Sequence, residues 1–121
     1  VGVATPDFVQ RAAIAAWDDD AHAERQRERY AAKRRLLLDD FARRGWAVEA
    51  SHATFYLWMK APGGDDVGFV RRLMRAGVVA TPGSFMGEAG AGFVRWALVP
   101  TLNECREALG RLDAVAGSGA R

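Results

Sequence analysis

The sequence predicts an α+β domain: a small, mainly antiparallel sheet covered by helices. Three observations carry that expectation. Two helical segments open the chain, short extended runs begin only after Gly45, and each later helix falls between two such runs or after the last of them. At 121 residues, half of them apolar, the chain is long enough for one core and short of two.

The first helix is expected to start at Thr5-Pro6-Asp7, with Thr5 as N-cap, Pro6 in the first turn and Asp7 facing the positive end of the dipole, and to run to about Trp17. Nearly every side chain from Phe8 to Trp17 is apolar or alanine, so this helix calls for cover on more than one side. Asp18, Asp19 and Asp20 suit the start of a second, highly charged helix that stops at Arg44-Gly45, with Tyr30, Leu37 and Phe41 as its apolar stripe. Residues 47–50 read as a weak strand and residues 54–60 as a strong one, central in the sheet. After a Pro62-Gly63-Gly64 turn, Asp65 or Asp66 caps a third helix carrying Phe69, Val70, Leu73 and Met74, closed by Gly77. A strand at 78–81, a glycine-rich loop from Pro82 to Gly92 and a strand at 93–99 follow. Thr101 and Glu104 form a capping box for a last helix that buries Leu102, Cys105, Leu109 and Leu112, and residues 117–121 are expected to fray.

Composition narrows the function. A net charge of +2 gives no uniform basic field, and Arg25, Arg27, Arg29, Lys33, Arg34 and Arg35 are interleaved with Glu24, Glu28, Asp39 and Asp40, which reads as a solvated helix face, not a nucleic-acid surface. Cys105 is the only cysteine, so no internal disulfide forms and a reducing, cytoplasmic setting is expected. No apolar run approaches a membrane span. His22 and His52 have no partners at metal-ligand spacing, and Ser84 has no motif joining it to a histidine and an acid, so neither a metal nor a serine nucleophile is expected.

Arg95 is the residue that asks for a ligand. In the 93–99 strand it shares a face with Phe93, Ala97 and Val99, while Val94, Trp96 and Leu98 take the other. A guanidinium withdrawn from water must satisfy its donors, and its planar fork matches a carboxylate or phosphate through two parallel hydrogen bonds. The competing reading is an edge-strand arginine that reaches solvent or pairs with Glu88. The loop before it, with Gly83, Gly87, Gly90 and Gly92 around Phe85 and Met86, suits a pocket wall or a mobile surface hairpin.

The run from Val78 to Leu109, VVATPGSFMGEAGAGFVRWALVPTLNECREAL, resembles the closing segment of the class I and II aminotransferases of the pyridoxal-phosphate (PLP) fold-type I group. There a strand, a Pro-Gly loop, a Phe-Gly pair, an aromatic-Val-Arg strand and a final helix follow in this order, and the upstream TFYLW run and long helix fit as well. The resemblance implies the small-domain fold of these enzymes over residues 19–116, with residues 1–18 as a helix leading to a large domain. It places the substrate's α-carboxylate on Arg95, with Thr54 near substrate and Pro82, Gly83, Ser84, Phe85, Met86 and Gly87 in the loop bordering the active site. Met86 stands where the family usually has phenylalanine, and Ala53 where it has glycine. The family's Schiff-base lysine belongs to the large domain. The chain has only Lys33 and Lys60, one in a charged helix and one at a strand end, neither in the buried, activated setting that imine chemistry needs. The resemblance therefore implies no catalytic residue here, no covalent PLP on this chain alone, and a partnership with a large domain and a homodimer mate. Residues 92–101 lean towards enzymes acting on N-succinyl-diaminopimelate, with 2-oxoglutarate as amino acceptor. The other class is a non-catalytic binding or oligomerisation module on the same fold.

Overall fold

A computed structural model describes residues 4–49 and 51–116. The frayed tail expected at 117–121, the first three residues and Ala50 lie outside the described residues.

Helix α1 spans Asp7–Trp17 with Pro6, not Thr5, at the N-cap; no side chain caps it, and the Thr5 carbonyl instead accepts from Gln10 Nε2 at 2.7 Å. None of its residues is buried: Phe8, Ile14 and Trp17 are 73%, 62% and 84% exposed. The cover that its composition calls for is not supplied by the described residues.

Helix α2, Asp20–Arg43, starts where the Asp19 carboxylate accepts from the His22 amide at 2.8 Å. It ends in a Schellman motif. Gly45, at φ 71°, donates to Ala42, Trp46 donates to Phe41, and the two rings of that last pair meet at 5.6 Å. Helix α3, Asp66–Arg75, is capped by Asp65 and closes in the same way on Gly77, with Val78 donating to the Leu73 carbonyl. That closure takes Val78 out of the expected strand and into the core, so strand β3 is only Thr81–Pro82. Of the apolar side chains that α3 carries, Phe69, Val70 and Leu73 are buried, while Met74 is 59% exposed.

The sheet runs β1 (Val48–Glu49), β2 (Tyr56–Lys60), β4 (Phe93–Ala97), β3, all antiparallel. Residues 54 and 55, expected in β2, precede it, because Thr54 turns the backbone to φ 67°. Beyond β4 only the Leu98 amide still pairs, with the Phe55 carbonyl at 2.7 Å, before Pro100 ends the ladder. Helix α4, Leu102–Arg111, carries the expected Thr101/Glu104 capping box, and a short α5, Asp113–Ala116, follows. Leu102 is half-buried, while Cys105, Leu109 and Leu112 enter the core.

One face of the sheet, through Leu57, Met59, Val94 and Trp96, packs with Leu37 and Phe41 of α2, Phe69 and Leu73 of α3 and Leu109 of α4. Each such fully buried side chain contributes roughly 1.5–3 kcal/mol. The other face carries Tyr56, Trp58, Phe93 and Arg95, all half-buried, together with the exposed Lys60 and Ala97.

Candidate functional site

Arg95 lies in the interior of the sheet, opposite Trp58 of β2 on one side and Thr81 of β3 on the other. This placement removes the edge-strand reading. Its guanidinium carbon stands 4.4 Å from the centroid of the Tyr56 ring, one diagonal step across the strands. Nε is buried without a hydrogen-bond partner, and Arg95 forms no ion pair among the described residues; Glu88, its conceivable structural partner, is exposed in the loop. A guanidinium held on an aromatic ring with donors unspent has the chemistry to take up an anion. Trp58 and Phe93 stack nearly parallel beside it, 14° apart at 5.4 Å, and Lys60 is neutralised by Glu49 at 2.9 Å.

Thr54 reaches this face through the chain itself. Its Oγ1 accepts from the Tyr56 amide at 3.2 Å, and the Phe55 ring rests on Tyr56 with centroids 4.4 Å apart.

The Pro82–Gly92 loop is not a loose hairpin. It folds into two 3-10 turns, Gly83–Met86 and Glu88–Gly90, whose backbones meet so closely that a Cβ on Gly83 would lie 2.1 Å from the Gly90 carbonyl oxygen. The loop leaves the sheet at Pro82, paired with Val94. Its first turn is held by Asp66, buried in the first turn of α3, whose carboxylate accepts from the Ser84 amide at 2.8 Å. That amide, more than anything else, holds the Asp66 carboxyl below its ordinary range. Ser84 Oγ is buried with no acceptor at hydrogen-bonding geometry. Phe85 and Met86 are exposed, and Phe85 lines a shallow cavity of about 300 Å³ with Val67, Val70 and Met74 of α3. The structure thus links Arg95 to Thr54 through Tyr56, pairs Pro82 with Val94 next to Arg95 in β4, and turns Phe85 towards α3.

The charged helix is less solvated than its composition predicts. Lys33 is buried, its Nζ donating to the Pro100 carbonyl at 3.0 Å and lying 4.4 Å from the Tyr30 ring centroid, and Arg34 donates to Ser51 and Thr54. Burial, expected to be missing at both lysines, is present at Lys33, but its amine is engaged by a carbonyl and a ring, and Lys60 by Glu49. Cys105 Sγ approaches the same Pro100 carbonyl at 3.9 Å, and burial pushes its thiol up.

Tyr56, Asp66 and Arg34 are the residues that sequence reasoning passed over. A signal existed for Tyr56 alone: the alternation of the 54–60 run puts it on one face with Trp58, although which strand lay beside it was unreadable. No cluster of three or more His, Cys, Asp or Glu side chains that could hold a metal occurs among the described residues, nor is any helix there long and apolar enough to cross a membrane.

Residues 2–112 match the family described as aminotransferase class I and II. The chain is 42% identical over 112 residues to a 4-dedimethylamino-4-oxo-anhydrotetracycline transaminase of Streptomyces rimosus, covering 92% of this chain and 31% of the relative. It is 37% identical over 110 residues to an LL-diaminopimelate aminotransferase of Gloeobacter violaceus, covering 88% and 28%. Among solved structures, an aminotransferase of Neisseria meningitidis superposes with a TM-score of 0.78 at 36% identity, over 87% of this chain and 28% of that one. The chain spans about a quarter to a third of the length of the curated relatives it matches.

Proposed function

Because the chain belongs to the class I and II aminotransferases, we propose that it is the C-terminal, substrate-carboxylate-binding domain of a PLP-dependent enzyme of amino-acid metabolism. The observation that carries this reading is Arg95: an interior-strand arginine on the open sheet face, seated on Tyr56, with its Nε unpartnered. A substrate α-carboxylate accepts two parallel hydrogen bonds from such a fork, and so fixes the α-carbon relative to the rest of the site. Both the amino donor and the 2-oxo acid that replaces it present that carboxylate, so one arginine serves both halves of the exchange. Thr54 and the loop residues Pro82, Gly83, Ser84, Phe85, Met86 and Gly87 border the space where substrate lies.

Members of this family use PLP, whose chemistry is to bind and labilise the amino group. The residues present do not fit a covalent attachment, since both lysines are engaged, so the cofactor's lysine resides in a large domain and this chain alone is inactive. The uncovered apolar side chains of α1 support that partnership: Phe8, Val9, Ile14 and Trp17, spread around the helix, are all exposed on the stretch, residues 1–18, that would lead to the large domain. A cytoplasmic homodimer and a diaminopimelate-type substrate, N-succinyl-diaminopimelate with 2-oxoglutarate, complete the proposal. The Gloeobacter relative's name supports the substrate class.

The test is complementation. Co-expressed with the N-terminal portion of such a relative, the chain is expected to restore PLP-dependent transamination, and Arg95→Ala to abolish it. Alone, it is expected to give no specific lysine adduct after PLP and borohydride. An adduct on Lys33 or Lys60, or full activity with Arg95→Ala, overturns the reading.

A further inference from the structure

Helix α2 grips the segment before β2 at two points one turn apart. Arg34 donates through Nη1 to the Ser51 carbonyl at 3.0 Å and to Ser51 Oγ at 2.8 Å, and through Nη2 to the Thr54 carbonyl. Tyr30, four residues earlier on the same helix face, sets its ring 6.1 Å from that of Phe55.

The gripped segment contains Thr54, the only non-glycine residue with positive φ among the described residues, at 67°. A β-branched side chain in the left-handed region is sterically strained, and such a conformation persists only where its surroundings hold it. The Thr54 side chain gives only a local tie: the residue is exposed, and its hydroxyl accepts from the Tyr56 amide. The hold from outside the segment is the guanidinium on its carbonyl. From Thr54 the geometry runs without a gap to the receptor, because Phe55 rests on Tyr56 and Tyr56 carries Arg95.

We propose that Arg34 is a positioning residue for Arg95: by clamping Ser51 and Thr54 it holds the strained turn that sets the Tyr56 ring against the Arg95 guanidinium. The planar fork is what the task requires, since it spans two carbonyls and a hydroxyl at once, which an ammonium on a flexible stem does not. The functional meaning of this device rests on Arg95 as the carboxylate receptor. The mechanical part stands on geometry alone, and the two fail separately.

The experiment is nuclear magnetic resonance on the chain itself, reading the Arg95 side-chain signals, which the Tyr56 ring shields. Arg34→Ala is expected to remove most of that shielding. Arg34→Lys, the variant that carries the test should the alanine variant not fold, is expected to remove part of it. Thr54→Gly placed on Arg34→Ala is expected to recover it, because glycine takes φ near 67° without strain. Titration with succinate adds the functional readout: its binding weakens about tenfold to a hundredfold in Arg34→Ala, the scale on which a slightly misplaced binding group acts. If Arg34→Ala lowers the melting temperature but leaves the Arg95 signals in place, or if Thr54→Gly gives no recovery, the proposal is overturned. If the unaltered chain shows the shielding but no response to succinate, the carboxylate reading fails while the clamp stands.

Discussion

Arg95 and Tyr56 sit on different strands, two residues out of register, and meet ring to guanidinium at 4.4 Å. Antiparallel pairing of β2 with β4 puts the two side chains on one face and one diagonal step apart, so the ring meets the guanidinium while its Nε stays without a hydrogen-bond partner.

In a complemented enzyme, Tyr56→Leu therefore weakens substrate binding while Tyr56→Phe leaves it near normal, because the ring and not the hydroxyl makes the contact. The loss is expected at about 0.5–2 kcal/mol, a rise in KM of a few-fold to thirty-fold with kcat less affected. Steady-state kinetics of the two variants decides it; equal loss in both would mean that the phenol oxygen matters.

Arg95→Lys keeps the charge but presents no fork. It is expected to lose about tenfold to a hundredfold in kcat/KM, since a hydrogen bond to a charged group contributes roughly 1.5–3 kcal/mol. A lysine variant with unchanged kinetics would make Arg95 a point charge and not a carboxylate clamp.

The Asp66 carboxyl is held below its ordinary range by the Ser84 amide, so it stabilises the fold when ionised. That contribution is complete above the unfolded-state value of about 3.9 and is lost as pH falls through the lower folded value. Melting temperatures of the chain and of Asp66→Asn, followed from pH 7 to pH 3, are expected to lie apart at neutral pH and to converge at the acid end. Parallel curves would contradict the anchoring role.

Gly83→Ala drives a methyl group into the Gly90 carbonyl, backbone against backbone, where no side chain can swing aside. Destabilisation of about 1–3 kcal/mol, as for overpacking elsewhere, is expected in denaturant unfolding. Alanine at Gly87, also in the loop, meets nothing within 4 Å but must adopt φ 121°, so strain alone acts there and the two variants separate crowding from backbone strain.

Replacing Phe8, Ile14 and Trp17 by serine is expected to change the unfolding free energy by no more than about 0.5 kcal/mol per site, as for surface sites in general. The same change is expected to reduce self-association in sedimentation and to prevent complementation. Unchanged complementation would show that another surface meets the large domain.

How much of this the sequence announced depends on the range of the interaction. Caps and glycine stops are local, and Asp19, Asp65, the Thr101/Glu104 box, Gly45 and Gly77 act where the pattern put them. Alternation placed Val94, Trp96 and Leu98 inside and Arg95 on the other face. The failures share a cause: Lys33, Arg34 and Asp66 look like ordinary charges until the chain returns from 67, 17 and 18 residues away to bring them Pro100, Ser51 and Ser84. A charge's partner across such a distance leaves no periodic trace. The strand ends at 54 and 78 were misplaced because a left-handed threonine and a helix closure each took residues from a run that reads as extended.

The strand order has a temporal side. Neighbours β2 and β3 of the arginine strand do not touch one another; β4, made after both, is the strip that joins them. On a ribosome, a nascent chain that has emerged only as far as Gly92 has the β1–β2 pair and β3, with nothing to join them. The same few residues that close the sheet also deliver Arg95, so the joined sheet and the guanidinium on its open face arrive together.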